Sequence, residues 1–157
     1  MIAHVEKLAL DVPAALAVTS LYRAANAVRN HLTNTVLREN DLSWTGFVVL
    51  WSLWIWDGLE SRHAAESAAI SKGTLTGVAK TLETRGWLRR EVSTTDRRLV
   101  HLTLTPDGIA LMERLFPKVN AAEAQVVARI AAPELSSLTE SLRTMVTTLE
   151  EIETPKD

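Results

Sequence analysis

Between Ser71 and His101 the chain carries seven cations, Lys72, Lys80, Arg85, Arg89, Arg90, Arg97 and Arg98, against three acids, Glu83, Glu91 and Asp96. Thr74, Thr76 and Thr84 are interleaved with them. Cations mixed with hydroxyls suit a phosphate polymer: each ammonium or guanidinium displaces condensed counterions, and a threonine can donate or accept at base edges while its methyl touches thymine. This segment is net +4 in a chain of net charge −2, which leaves −6 for the remainder. Local charge, rather than the total, decides what such a stretch meets.

The spacing assigns geometry to these residues. Leu75, Val78, Ala79 and Leu82 fall at i, i+3, i+4 and i+7, predicting a helix from Lys72 to Arg85 that stops at Gly86. The opposite face shows Gly73, Gly77, Lys80 and Thr84, with Thr74 and Thr76 at its edges. Such a helix is expected in a DNA major groove, with Ser71 and the first backbone N–H groups meeting a phosphate at the positive helix end. Each glycine costs roughly 1 kcal/mol of helix propensity. Gly73 and Gly77 form a flat strip, read either as close approach of the backbone to DNA or as relaxed sequence on a solvated face.

The period then changes to two. Trp87, Leu88 and Val92 lead through a polar loop, Ser93 to Arg98, into Leu99 to Leu104, predicting two antiparallel strands. Arg97 and Arg98 at the tip would reach an adjacent minor groove, whose narrow A·T-rich form attracts arginine. Asp96 would orient one of them through a charge-assisted hydrogen bond. Taken alone, the loop also reads as an ordinary solvated turn. Arg89 and Arg90 are phosphate contacts or strand-edge residues, and His63 beside Arg62 is a phosphate contact or a solvated surface group.

The remaining elements must position this constellation. A helix is expected from Pro13 to Arg38, a turn at Asn40-Asp41, and a nearly all-apolar helix from Trp44 to Trp56 with Ser43 as N-cap. Ser61 opens a short helix through Ser67, which with the helix after Ser71 makes a helix-turn-helix pattern. Thr105-Pro106 starts a further helix towards Ile130, kinked at Pro117, and Pro133 restarts a last one carrying Leu135, Leu138, Leu142, Met145, Val146 and Leu149. Thr154 to Asp157 are expected to fray. The fold class is therefore mainly α: a winged helix-turn-helix with a two-stranded β-wing, flanked by N- and C-terminal dimerisation helices. Residues 1–157 read as one domain, with 1–40 and 105–157 supplying dimerisation helices and 41–104 the DNA-binding part. The terminal helices cannot bury their apolar faces on so small a reading head, so a two-fold dimer is expected.

Composition narrows the alternatives. With 46% apolar and 23% charged residues over 157 positions, the chain reads as one soluble globular domain. The absence of cysteine excludes a disulfide scaffold, a thiolate zinc site and a thiol redox sensor. The first ten residues lack a continuous apolar core, and the run from Phe47 to Trp56 is too short to span a bilayer, so the expectation is a cytoplasmic protein without membrane contact. The histidines at 4, 31, 63 and 101 lack metal-ligand spacing, and no nucleophile elbow, phosphate-binding glycine loop or paired-carboxylate motif is present. No metal, cofactor or catalytic residue is expected.

The stretch "SKGTLTGVAKTLETRGWLRR", Ser71 to Arg90, followed by "TTDRRLVHLTLTPDG", resembles the MarR family of winged-helix regulators. The shared features are Thr-x-Thr in the recognition helix, Leu-Glu before the glycine that precedes the first wing strand, Asp-Arg-Arg in the wing and "LTPDG" opening the next helix; Leu42-Ser43 also fits. The resemblance implies a homodimer on a pseudo-palindromic operator, acting as a repressor released by a small ligand. It matches Thr74 and Thr76 to base or phosphate contacts, and Arg97 or Arg98 to a minor-groove arginine. Gly77 stands where many members carry arginine, and Lys80 where an acidic or polar residue is common. Family members often bind phenolic or aromatic effectors. Trp51 and Trp54, with His31 and Arg38 as polar partners, would line such a pocket, or else the tryptophans fill a helix junction. A DNA-binding regulator or architectural protein with no effector is the alternative.

Overall fold

The structure is a computed structural model that describes residues 8–92 and 99–153. The first helix, α1 (Val12–Leu32), starts where Asp11 accepts the Ala14 N–H at 2.9 Å, with Pro13 in the first turn. It passes into a π-helical turn, Thr33–Leu37, and a 3₁₀ turn, Arg38–Asn40. The expected single helix to Arg38 therefore changes hydrogen-bond step near its end. Val36 and Leu37 are buried there, and Asp41 closes the segment in the left-handed region at φ 48°.

Ser43 caps α2 (Trp44–Ile55), its hydroxyl accepting the Gly46 N–H at 3.0 Å, and Phe47, Val49, Leu50 and Leu53 are buried. Buried Ser52 accepts a 2.9 Å hydrogen bond from the Ser67 hydroxyl, so its polarity is answered inside the fold. Asp57 and Gly58, both at positive φ, turn the chain into β1 (Leu59–Glu60). Two helices follow, α3 (Ser61–Ser67) and α4 (Lys72–Thr84), separated by a tight bend with Ala69 at φ 50°.

The strands β2 (Leu88–Val92) and β3 (Val100–Leu104) pair antiparallel from Leu88↔Leu104 to Val92↔Val100. β1 adds to the other edge of β3 through Leu59↔Leu102 and Glu60↔His101, giving the order β1-β3-β2. The expected two-stranded wing is thus rooted in a three-stranded sheet. A strand of two residues is too short to display alternation in its sequence.

Thr105 caps α5 (Pro106–Val127). Its hydroxyl accepts the Gly108 N–H at 3.1 Å and donates to the Gly86 carbonyl, while its own N–H reaches the Trp87 carbonyl at 3.1 Å. A Cβ on Gly108 would lie 2.0 Å from that same Trp87 oxygen, so the motif glycine serves a backbone contact that no larger residue permits. α5 stops at Val127 rather than Ile130 and runs through Pro117, which has no N–H for the carbonyl four residues back. The last helix is α6 (Ala132–Glu153).

The chain divides into two compact units, Met1–Asn120 and Ala121–Asp157. The first holds a core that includes Leu32, Leu37, Leu50, Leu53, Leu88, Leu102, Met112 and Leu115, all at most 1% exposed. Within it α1 buries only Leu32, leaving Leu16, Val18 and Tyr22 open to solvent. In the second unit α6 buries no residue at all, and Leu138, Val146, Leu149 and Ile152 are exposed. Among the described residues no helix is long and apolar enough to cross a membrane.

Candidate nucleic-acid interface

α4 has two faces of opposite character. Leu75, Ala79 and Leu82 are buried, whereas Lys72, Gly73, Thr74, Thr76, Gly77 and Lys80 are all exposed, as is the N-cap Ser71. The Ser71 hydroxyl accepts the Thr74 N–H at 3.1 Å and lies 2.9 Å from the Thr74 hydroxyl. Thr76 donates to the Lys72 carbonyl and Thr84 to the Lys80 carbonyl, each at 2.9 Å. Those hydroxyl protons are engaged by the helix itself, so what Thr76 and Thr84 offer outward is acceptor lone pairs and methyl groups.

The glycines on this face have no internal purpose. A Cβ on Gly77 would meet nothing within 4 Å, and one on Gly73 only the Ser71 hydroxyl oxygen at 3.8 Å. The contrast with Gly108 is direct: packing requires that glycine and is indifferent to these two.

The cations counted along the sequence divide sharply in space. Arg90, expected at DNA, donates through Nε to Glu83 at 2.7 Å and forms an ion pair with it. That hydrogen bond holds the Glu83 carboxyl below its ordinary range and raises the Arg90 guanidinium. Arg89 contacts Glu91 at 3.0 Å and the Thr103 hydroxyl at 2.9 Å. Arg85 turns back into the fold, donating to the Asp41 carbonyl at 2.7 Å and the Asn40 carbonyl at 2.8 Å, with its guanidinium 3.9 Å from the Trp87 ring centre. Lys72 and Lys80 remain exposed on α4. Asp96, Arg97 and Arg98, expected at the wing tip, lie outside the described residues.

Beside the outer face of α4 is a cleft of about 320 Å³, lined among others by Arg62, Lys72, Thr76 and Arg90. Arg62 was not singled out from the sequence as an interface residue. It pairs with Glu66 at 2.9 Å, one helical turn away, and this hydrogen bond raises the arginine and lowers the carboxyl. The i,i+4 spacing of Arg62 and Glu66 was the available signal. His63 beside it is exposed.

The expected effector residues differ in exposure. Trp54 is half-buried against Phe116, ring centres 5.5 Å apart, and lines a cleft of about 480 Å³ with Leu53, Asp57, Arg89, Thr103 and Ile109. His31, Arg38 and Trp51 are exposed and do not line that cleft. Asp57 enters it only because of the positive-φ turn after α2, a placement its spacing in the sequence does not announce. Among the described residues no group of three or more histidine, aspartate and glutamate side chains is placed to hold a metal.

A short helix, a tight bend, a longer helix with a bare polar face and a hairpin sheet together define a winged helix-turn-helix protein of the DNA-binding class. The profile of the MarR family matches residues 42–100. The chain is 38% identical to the HTH-type transcriptional regulator YwaE of Bacillus subtilis, over 85% of its own length and 78% of that protein's. Among solved structures, Sco3205, a MarR family transcriptional regulator from Streptomyces coelicolor in complex with DNA, matches with a TM-score of 0.82 at 26% identity, covering 94% of this chain and 95% of that one. BpsR of Bordetella bronchiseptica, whose DNA binding is regulated by 6-hydroxynicotinic acid, matches at TM-score 0.77 and 27% identity over 83% of this chain and 98% of that one. The chain belongs to the MarR family and is a DNA-binding transcriptional regulator.

Proposed function

We propose that this regulator is a homodimeric repressor whose two α4 helices read successive major grooves of a pseudo-palindromic operator. The observation that carries this reading is the outer face of α4, where Ser71, Lys72, Gly73, Thr74, Thr76, Gly77 and Lys80 are all exposed and no packing need explains the glycines. In this reading Ser71 and the first N–H groups of α4 hold a phosphate, Thr74 and Thr76 meet base edges or phosphates, and Gly73 and Gly77 let the helix backbone approach. Arg97 and Arg98 insert into the minor groove with Asp96 orienting them. Arg90 holds the hairpin to α4 through Glu83 and reaches phosphate only as a member of that pair.

Residues 41–104 form the reading head, and the helices within 1–40 and 105–157 form the dimer. The bare apolar residues of α1 and of α6, each in its own unit, support that division. The protein acts in the cytoplasm, with the DNA it reads. A small aromatic acid releases it, as 6-hydroxynicotinic acid regulates BpsR, and Trp54, flanked by Arg89 and Asp57 in its cleft, is where such a ligand meets both an aromatic wall and a cation.

Duplexes selected from a random pool provide the operator. Replacing Arg97 and Arg98 together by alanine is expected to weaken binding to it by about 1–3 kcal/mol per groove arginine while circular dichroism and dimer mass stay unchanged. Unchanged affinity removes the wing from the interface. Quenching of tryptophan fluorescence by aromatic acids, in parallel with loss of the DNA complex, tests the effector; quenching absent across such acids leaves a regulator without one.

A further inference from the structure

Two segments that are distant in sequence converge on residues 39–41, at the end of the 3₁₀ turn that follows α1. From α5, Arg114 approaches the Asn40 side-chain oxygen at 3.4 Å and Lys118 the Glu39 carboxylate at 3.5 Å. From the C-terminal end of α4, Arg85 takes the main-chain carbonyls of Asn40 and Asp41 on two separate guanidinium nitrogens, at 2.8 and 2.7 Å. Carbonyls at the end of a helical segment are the unpartnered, negative end of its dipole, and a planar fork satisfies two of them at once. The left-handed φ of 48° at Asp41 closes the turn that presents them.

The other face of Arg85 is equally constrained. Its guanidinium stacks on Trp87 at 3.9 Å, and the Trp87 backbone is itself pinned by the Thr105 N–H and by the close approach of Gly108. Arg85 is thus clamped between the 3₁₀ turn that follows α1 and Trp87, whose backbone meets the start of α5, and it is the residue that ends the recognition helix.

We infer that Arg85 is a positioning residue for operator spacing: it fixes the placement of α4 relative to α1, and through it the separation of the two recognition helices in the dimer. This rests on the dimeric reading proposed above, in which α1 takes part in the pairing. A basic residue at this position reads from the sequence as one more phosphate contact; its geometry instead makes it the joint by which the reading head is held in register with its partner.

The test uses the full chain, as wild type, Arg85→Lys and Arg85→Met, on three duplexes: the one the wild type selects from a random pool, and the same duplex with one base pair added or removed between half-sites. One base pair moves a half-site by ~3.4 Å and turns it by roughly a tenth of a helical turn. The wild type is expected to lose at least about tenfold in affinity on both altered duplexes. Arg85→Lys, folded and dimeric by sedimentation, is expected to bind all three within about threefold of one another, since an ammonium keeps the charge but cannot fork or stack in the same way. Should Arg85→Met fail to fold, the lysine variant decides. Wild-type discrimination retained in either folded variant overturns the inference, and so does an equal loss on all three duplexes, which marks a purely stabilising role. A wild type that is monomeric or indifferent to spacing removes the dimeric reading itself, a failure visible before any variant is measured.

Discussion

α4 and α6 carry the same kind of apolar stripe, Leu75, Val78, Ala79 and Leu82 in one, Leu138, Leu142, Met145 and Leu149 in the other. In α4 three of the four are buried; in α6 none is. The periodicity is equally good in both, so periodicity alone does not say whether a stripe is answered by its own chain. α4 is packed within the first unit and shows its polar face to solvent, as a reading element must. α6 is amphipathic with no cover for its apolar side, and burying apolar surface is the main favourable contribution available to it. One helix buries its stripe within a single copy, and the other leaves its stripe open for the dimer proposed above.

The largest test of that contrast places charge on the open stripe. Val146→Glu combined with Leu149→Glu is expected to convert the dimer to monomer in sedimentation and to weaken operator binding by about 100-fold or more, because the second half-site contact ceases to be intramolecular. A dimer that survives both charges breaks the comparison. Next in size, Leu82→Ala should cost about 2–5 kcal/mol of stability whatever the protein concentration, as a cavity in a closed core does. If α6 pairs with a second copy, as proposed above, Leu149→Ala should shift the melting temperature by an amount that depends on concentration. Melts at two concentrations separate the two behaviours.

Within α4 the same logic applies on a smaller scale. Gly77→Ala should raise stability by up to about 1 kcal/mol, the propensity difference, since a Cβ there meets open space. If DNA comes close to that strip, the same variant loses operator affinity, so stability and binding move in opposite directions. If binding is unmoved, the glycine face is relaxed sequence.

The smallest effect concerns the Glu83–Arg90 pair that ties α4 to β2. The Glu83 carboxyl is held below its ordinary value of 4.5 chiefly by the hydrogen bond from Arg90. A depressed carboxyl contributes stability above its unfolded pKa and loses it as pH falls through the folded one. Glu83→Gln should therefore melt slightly below wild type at neutral pH, with the gap closing as the pH falls through 4.5 and below. The pair is partly open to solvent, so the effect is modest.

These residues also show what could be read before the fold was known. Ser43 and Thr105 each read as helix caps and each accepts the backbone N–H expected of it, because capping is a local matter of three residues. The recognition helix, the hairpin and the exposed outer face followed from similarly local patterns. β1 did not, because what makes Leu59 and Glu60 a strand is β3, more than forty positions downstream. The cations divide in the same way. Arg85, Arg89 and Arg90 look alike in the sequence, yet their directions are set by Asn40, Thr103 and Glu83, partners chosen by tertiary packing. Gly77 and Gly108 are the same letter with opposite meanings, and only the atoms opposite each one distinguish them.

The joint at the base of the hairpin has an engineering consequence. Gly86, Trp87, Thr105 and Gly108 lock together the two chain segments that enter and leave the sheet, so the geometry of α4 and α5 is settled below β2 and β3. Whatever lies between Val92 and Val100 is attached to a finished hinge-post. Its length and sequence can therefore be exchanged as a cartridge, and a loop twice as long adds only about 0.6 kcal/mol of closure entropy. If the wing meets the minor groove as proposed above, swapping that cartridge while leaving the post untouched is expected to retune groove preference without redesigning α4.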